Sequence, residues 1–180
     1  MTTVSTPDIT AFRHVGIVVR DLDKSLEFYS GILGLKIYRR YVEEGPFIDE
    51  LTGLENVKLE WVKLIIPEGG LIELLQYHSH PDPTASSSST PAPSNRMGCS
   101  HVALTATDLM ETYSKLKSAG HAVKSAPVVT PNKAARVLYC HDPDGTILEL
   151  IEDMVSPVTA GLRPQGQEAS GTTPVTNGKS

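Results

Sequence analysis

The chain has 180 residues, a formal net charge of −5 and a pI near 5.6, and no basic cluster exceeds Arg39-Arg40, which argues against nucleic-acid binding. No apolar run approaches the roughly 18 residues of a membrane span, and the N-terminus lacks a basic region followed by an apolar one, so no secretory signal is expected. Cys99 and Cys140 form no CxxC pair, and a reduced, cytoplasmic setting suits them better than a structural disulfide.

Residues 1–10 read as a short flexible N-terminus. The first module is expected over 11–77. His14–Val19 is short, β-branched and apolar, and reads as a buried strand. Leu22, Leu26, Tyr29 and Leu33 then fall on one helical face, with Asp21 or Asp23 placed to cap the start and Gly34 to end it. Lys36–Val42 alternates as a strand. Residues 43–57 are irregular, and a long loop with a short helix at Ile48–Leu51 is expected there; it is a candidate substrate lid. Strands follow at Leu59–Ile66 and Leu71–Tyr77, separated by a Pro-Glu-Gly-Gly turn.

Residues 78–98 are rich in Ser and Pro and read as a linker. The second module, 99–155, repeats the order. A strand at Ser100–Ala106 leads to a helix at Leu109–Ala119, which Asp108 and Glu111 could open as a capping box and Gly120 could terminate. Strands are expected near Ala122–Val129, at Arg136–Cys140 and at Thr146–Glu152, the last two joined by the turn Asp142-Pro-Asp-Gly145. Residues 156–180 have almost no large apolar side chain and are expected to be disordered. The fold class is therefore α+β, with two tandem βαβββ modules.

The two halves echo each other. His14-Val15 and His101-Val102 open matching strands, and Asp21-Leu22 and Asp108-Leu109 follow at the same 87-residue offset. Each half closes on a second echo, Ile72-Glu73-Leu74-Leu75 and Leu148-Glu149-Leu150-Ile151. A repeat carrying one His and one Glu per copy can bring four metal-binding side chains together. Glu73 shares a strand face with Leu71 and Leu75, and Glu149 with Ile147 and Ile151. A carboxylate among aliphatics needs compensation, and a cation is one form of it. His14 shares its face with Gly16 and Val18, and His101 with Ala103 and Thr105; these small neighbours leave room above the sheet. Taken singly, a His at a strand start is ordinarily a polar strand end, and a Glu between leucines ordinarily faces solvent. The ordered repeat is what favours a shared site. Two imidazoles and two carboxylates suit one divalent Ni, Co, Zn, Mn or Fe, with two positions open to water or substrate.

The pieces HVGIVVRDLDKSLEFYSGILGLK, LIELLQY, SHVALTATDL and HDPDGTILELIE resemble the vicinal oxygen chelate superfamily, which includes glyoxalase I, methylmalonyl-CoA epimerase, extradiol dioxygenases and resistance proteins. The resemblance implies paired modules whose sheets curl around a shared metal-binding cleft. It places the ligands at His14, Glu73, His101 and Glu149. The closing hairpin is most similar to glyoxalase I. That implies a metal-dependent lyase or isomerase acting through an enediolate or enolate, on a small molecule with adjacent oxygens, with Glu73 and Glu149 as the acid/base pair. It also implies a homodimer, in which modules pair within or across chains. The alternatives are an epimerase of the methylmalonyl-CoA type, an Fe(II) extradiol-type dioxygenase that would leave Glu73 surplus, and a non-catalytic binding or resistance protein.

The remaining polar residues read as ordinary. Arg39 and Arg40 alternate, so at most one faces a cleft. His78, His80 and Asp82 lie in the linker, His121 follows a helix, and His141 sits at a turn. Glu43, Glu44 and Glu50 read as solvated, Lys133 and Arg136 as a solvated hairpin, and Trp61 and Tyr77 as packing.

Overall fold

The computed structural model describes residues 9–67, 69–83 and 93–155. The expected tail at 156–180, most of the N-terminal segment and residues 84–92 of the linker lie outside them. In chain order the elements are β1 (His14–Val18), α1 (Leu22–Leu26), β2 (Lys36–Glu44), α2 (Pro46–Thr52), β3 (Lys58–Ile66), β4 (Gly70–Tyr77), β5 (Val102–Thr105), α3 (Leu109–Ser118), β6 (Val128–Val129), β7 (Ala135–His141) and β8 (Ile147–Asp153). They form two four-stranded mixed sheets, in the orders β1-β4-β3-β2 and β5-β8-β7-β6. In each, the first strand runs parallel to the last and the other pairs are antiparallel. The fold is α+β, two tandem modules.

Local chemistry sets the helix ends. The Asp21 carboxylate accepts from the backbone N–H of Asp23 and Lys24 at 3.1 Å each, and that of Asp108 accepts from Glu111 at 2.8 Å. These bonds satisfy donors that the first turn leaves unpaired. Glu111 does not complete a capping box in the interactions seen; it pairs with Lys115 at 2.7 Å. Gly34 and Gly120 end their helices at φ of +76° and +78°, where a Cβ would be strained.

Three expectations on the elements change. The periodic stretch 22–33 is not one α-helix: Glu27–Ile32 is π-helical, and Leu33 N–H reaches back five residues to Phe28 O at 3.0 Å. Phe28 and Tyr29, both on this turn, are fully buried. The expected strand over 122–129 shrinks to Val128–Val129, plus an isolated bridge between Val123 and Cys140. The irregular 43–57 region is more ordered than its composition suggests. α2 is held by Asp49, whose carboxylate accepts from the N–H groups of Asn56 (3.0 Å) and Val57 (2.8 Å).

Both modules feed one apolar core. Ile17, Val19, Phe28, Tyr29, Leu64 and Leu74 of the first cluster with Leu109, Leu116, Leu138, Leu148 and Leu150 of the second. α3 packs on the π-helical turn, and Phe28 meets the His121 ring edge-on at 4.8 Å. Polar ties join the modules as well. The Tyr29 hydroxyl donates to Asp142 at 3.0 Å, and Arg20 donates to Asp144 through its backbone N–H (3.0 Å) and Nε (2.6 Å).

Candidate functional site

Each sheet turns one face to the shared core, so strand alternation puts the other face outward. His14, Gly16 and Val18 lie on the outward face of the first sheet, with Glu73 of β4. Gly16 stands opposite Glu73 in the parallel pair β1–β4, and Ala103 opposite Glu149 in β5–β8. In both modules the histidine precedes that partner by two residues. The geometry repeats accordingly: His14 Nε2 lies 3.1 Å from Glu73 Oε2, and His101 Nε2 lies 3.1 Å from Glu149 Oε2. His14 and His101 side chains are each 30% exposed, Glu73 13% and Glu149 21%. Both pairs are thus partly desolvated but open on one side.

The two pairs do not meet within one chain. Among the described residues no three His, Cys, Asp or Glu side chains converge as a metal would need. The common core between the sheets is the physical reason: each pair faces away from it. A cleft of about 510 Å³ between the free edges of β1 and β5 includes His101, Arg96 and Asp144 but neither glutamate. It is therefore not the meeting point of the four residues.

As a donor set, two imidazole nitrogens and two carboxylates in matching geometry fit a borderline divalent cation. A ligating imidazole needs its second nitrogen oriented. His101 Nδ1 lies 2.9 Å from the Ser100 hydroxyl, which supplies that support. His14 Nδ1 is buried and makes no hydrogen bond to the described residues.

The modules differ beside the glutamates. Lys63 of β3 stands across from Glu73, and its Nζ lies 3.2 Å from Glu73 Oε1. Tyr139 of β7 takes the matching place across from Glu149, and its ring lies 5.2 Å from that of His101. The outward face of the first sheet also carries a second small core that joins Ile48 of α2 to Val57 and Leu59, with Trp61, Leu75 and Tyr77 packed against it. α2 is thus a wall beside the Glu73 pair.

Most other polar residues have structural partners. Arg40 points to the opposite face from Arg39 and binds Glu60 (2.6 Å) and Asp23 (2.8 Å). The Arg40 guanidinium holds the Glu60 carboxyl below its usual range. His78 binds Glu60 at 2.9 Å, His80 meets Ser79, and Arg136 binds Glu152 at 3.3 Å. His121 is held below its usual pKa by burial, against the opposing pull of Asp142. His141 is buried rather than exposed at its turn. Both cysteines are free; burial, then Asp142, pushes the Cys140 thiol up to about 12, which keeps it protonated and inert.

Sequence reasoning missed two features. One is the buried Tyr29–Asp142 contact. Burial, then the neighbouring Asp142, drives the Tyr29 hydroxyl far up, and burial raises Asp142 despite three hydrogen bonds to its carboxylate. The other is Lys63 beside Glu73. Alternation along β3 hints at the face of Lys63, but only the strand register names its partner.

A fold of two such modules, each with a strand-borne His–Glu pair, defines a class, and the sequence comparison agrees with it. The profile of the Glyoxalase/Bleomycin resistance protein/Dioxygenase superfamily matches residues 11–150, and the chain belongs to that family. Among curated relatives, a probable lactoylglutathione lyase of Vibrio cholerae is 26% identical over 145 residues, covering 78% of this chain and 88% of that protein. A probable lactoylglutathione lyase of Synechocystis is 29% identical over 140 residues, covering 77% and 92%. Among solved structures, a glyoxalase family protein from Bacillus cereus superposes with a TM-score of 0.73 at 26% identity, covering 86% of this chain and all (100%) of that one. No helix among the described residues is long and apolar enough to cross a membrane.

Proposed function

We propose that the protein is a divalent-metal-dependent lyase or isomerase of the glyoxalase type, with His14, Glu73, His101 and Glu149 as ligands. The observation that carries this reading is the duplicated pair: the same Nε2-to-Oε2 distance of 3.1 Å, at the same register, in both modules. The probable lactoylglutathione lyases among the relatives support it. Because the pairs face outward from a common core, the complete site is shared between two copies of the chain. His14 and Glu73 of one would face His101 and Glu149 of the other, giving two equivalent sites in a symmetric dimer.

The bound cation would act as a Lewis acid on two neighbouring substrate oxygens. The chain's own residues do the rest. Each imidazole presents Nε2, and Ser100 orients the ring at His101. One carboxylate takes the proton from a hydroxyl-bearing carbon next to a carbonyl and returns it to the carbonyl carbon, while the hydroxyl proton passes to the former carbonyl oxygen, so the isomerisation is balanced without an oxidant. α2 and Trp61 screen one side of the first sheet from water. A cytoplasmic, thiol-adduct substrate such as a hemithioacetal fits this chemistry.

Complementation between inactive variants tests the reading. His14→Ala and His101→Ala proteins should each lose metal and isomerase activity toward a glutathione hemithioacetal. Mixing them under subunit exchange should restore about a quarter of wild-type activity, since half of the dimers then carry one intact site of two. No restoration would refute sites shared between chains. No stoichiometric metal in the wild type after reconstitution would refute the metal-enzyme reading.

A further inference from the structure

The two histidine–glutamate pairs match in register and in distance, but not in what stands across from the carboxylate. In the first sheet that place, on the neighbouring strand β3, is held by Lys63, whose Nζ lies 3.2 Å from Glu73 Oε1. In the second it is held by Tyr139 of β7, a phenol rather than an ammonium. One strand further out the sheets agree again: Arg39 stands across from Lys63, and Lys124 across from Tyr139. The modules therefore differ by one cation next to the carboxylate. Both oxygens of Glu73 are engaged, Oε1 by Lys63 and Oε2 by His14 at 3.1 Å. Among the described residues the ion-pair contact of Glu149 is to His101 alone.

We infer that Lys63 is a built-in competitor for the divalent cation: its ammonium occupies Glu73 and makes the first module's pair the weaker half of the shared site. Lys63 acts through Glu73, so it is a positioning residue. Three observations carry this. First, the ammonium and a bound cation would share one carboxylate. Their repulsion is weakly screened, because the Lys63 and Glu73 side chains are only 25% and 13% exposed. Second, Lys63 is held where it is. Its Nζ lies 4.5 Å from the centre of the Trp61 ring, and Trp61 packs against the small core under α2. Contact with an aromatic face retains an ammonium. The Arg39 guanidinium, 5.8 Å from the same ring, repels it from the outer side. Third, the histidines differ in the same sense. Ser100 orients His101 through Nδ1 at 2.9 Å, whereas His14 Nδ1 is buried without a hydrogen bond to the described residues. A ligating imidazole gains affinity from a partner on its second nitrogen. The metal is therefore held less tightly than four such donors allow. This rests on the metal reading of the four residues, but not on which substrate the enzyme takes.

Metal affinity, read without turnover, tests it. The full-length protein would be stripped of metal and titrated with Zn(II) against a chromophoric chelator at one fixed, neutral pH. The visible absorption of the Co(II)-loaded protein gives a second readout, and far-UV circular dichroism checks that each variant is folded. Lys63→Met keeps the length of side chain that lies on Trp61 but removes the charge, and should bind Zn(II) about tenfold or more tightly. Lys63→Arg keeps the charge and should stay near the wild type. Tyr139→Lys copies the first module's arrangement into the second and should bind about tenfold or more weakly. Lys63→Met binding no tighter than the wild type, Lys63→Arg binding as tightly as Lys63→Met, or Tyr139→Lys binding as the wild type would overturn the competition. The two readings fail separately. One equivalent in the wild type with no gain in Lys63→Met sinks the role of Lys63 alone, and no metal in any of the proteins sinks both. A wild type that takes up no metal beside a Lys63→Met protein that takes one equivalent would be the competition in its strongest form.

Discussion

The two modules share a core and a repeated histidine–glutamate pair, yet their outward faces have diverged. Beside Glu73 stand Lys63, Arg39 and a tryptophan packed against α2; beside Glu149 stands Tyr139, with Lys124 across from it. What stayed alike is the part a metal would need, because coordination demands fixed donor types at fixed spacing. What diverged is the surface around it, where the residues need only suit one substrate. The inserted helix α2 accounts for much of the length difference between the halves. It is packed against the sheet by Ile48, which is 4% exposed, and is no loose flap.

The strongest test of the shared core is truncation on each side. Leu74→Ala and Leu150→Ala, both essentially fully buried, should each cost about 2–5 kcal/mol. Each should lower the midpoint of a single cooperative transition followed by both far-UV circular dichroism and Trp61 fluorescence. If Leu150→Ala produced an early transition silent to Trp61, the modules would be separate cores.

A smaller effect is expected at the polar tie between them. Tyr29→Phe removes the donor to Asp142 and leaves a buried carboxylate short of one bond, at a cost of about 1–3 kcal/mol. The loss should appear in urea denaturation with the dependence on denaturant unchanged. A neutral result would mean that Asp142 is satisfied by its turn alone, through Asp144 N–H and Thr146 N–H.

The smallest effect is one of pH. Burial holds the folded His121 pKa below its usual 6.5, so folding favours the neutral ring. The contribution is complete above the unfolded value and is lost as pH falls through the folded one. Stability should therefore drop on acidification below about pH 6.5. His121→Phe, which keeps the ring against Phe28, should flatten that part of the profile. An unchanged slope would place the titration elsewhere.

Much of this was legible in the chain. The echo of His14 in His101 and of Glu73 in Glu149 is visible in sequence because each pair sits on the first and last strands of its module, at matching places in two alternating patterns. Period-two patterning fixed which face each residue takes, and Asp21, Asp108, Gly34 and Gly120 marked the helix ends through local backbone chemistry. The π-helical turn was not legible. Leu22, Leu26, Tyr29 and Leu33 obey an α-helical period, and nothing in that pattern marks the bond from Leu33 N–H back to Phe28 O. Nor did composition disclose α2's anchoring, which depends on Asp49 meeting two amides seven and eight residues later.

The amino-acid sequence by itself determined most of the elements, their outward and inward faces, and the echo of His14 and Glu73 in His101 and Glu149, because these follow from local propensity and periodicity. Tertiary structure alone decided three things. Strand register set Lys63 against Glu73 and Tyr139 against Glu149. Packing of both modules on one core turned the two histidine–glutamate pairs away from each other. The cross-strand stacking of Arg39 and Lys63 on Trp61 made a patch of residues that are far apart in the chain or, where close, ordinary. Each depends on contacts between segments distant in sequence, and no local pattern encodes which segments will meet.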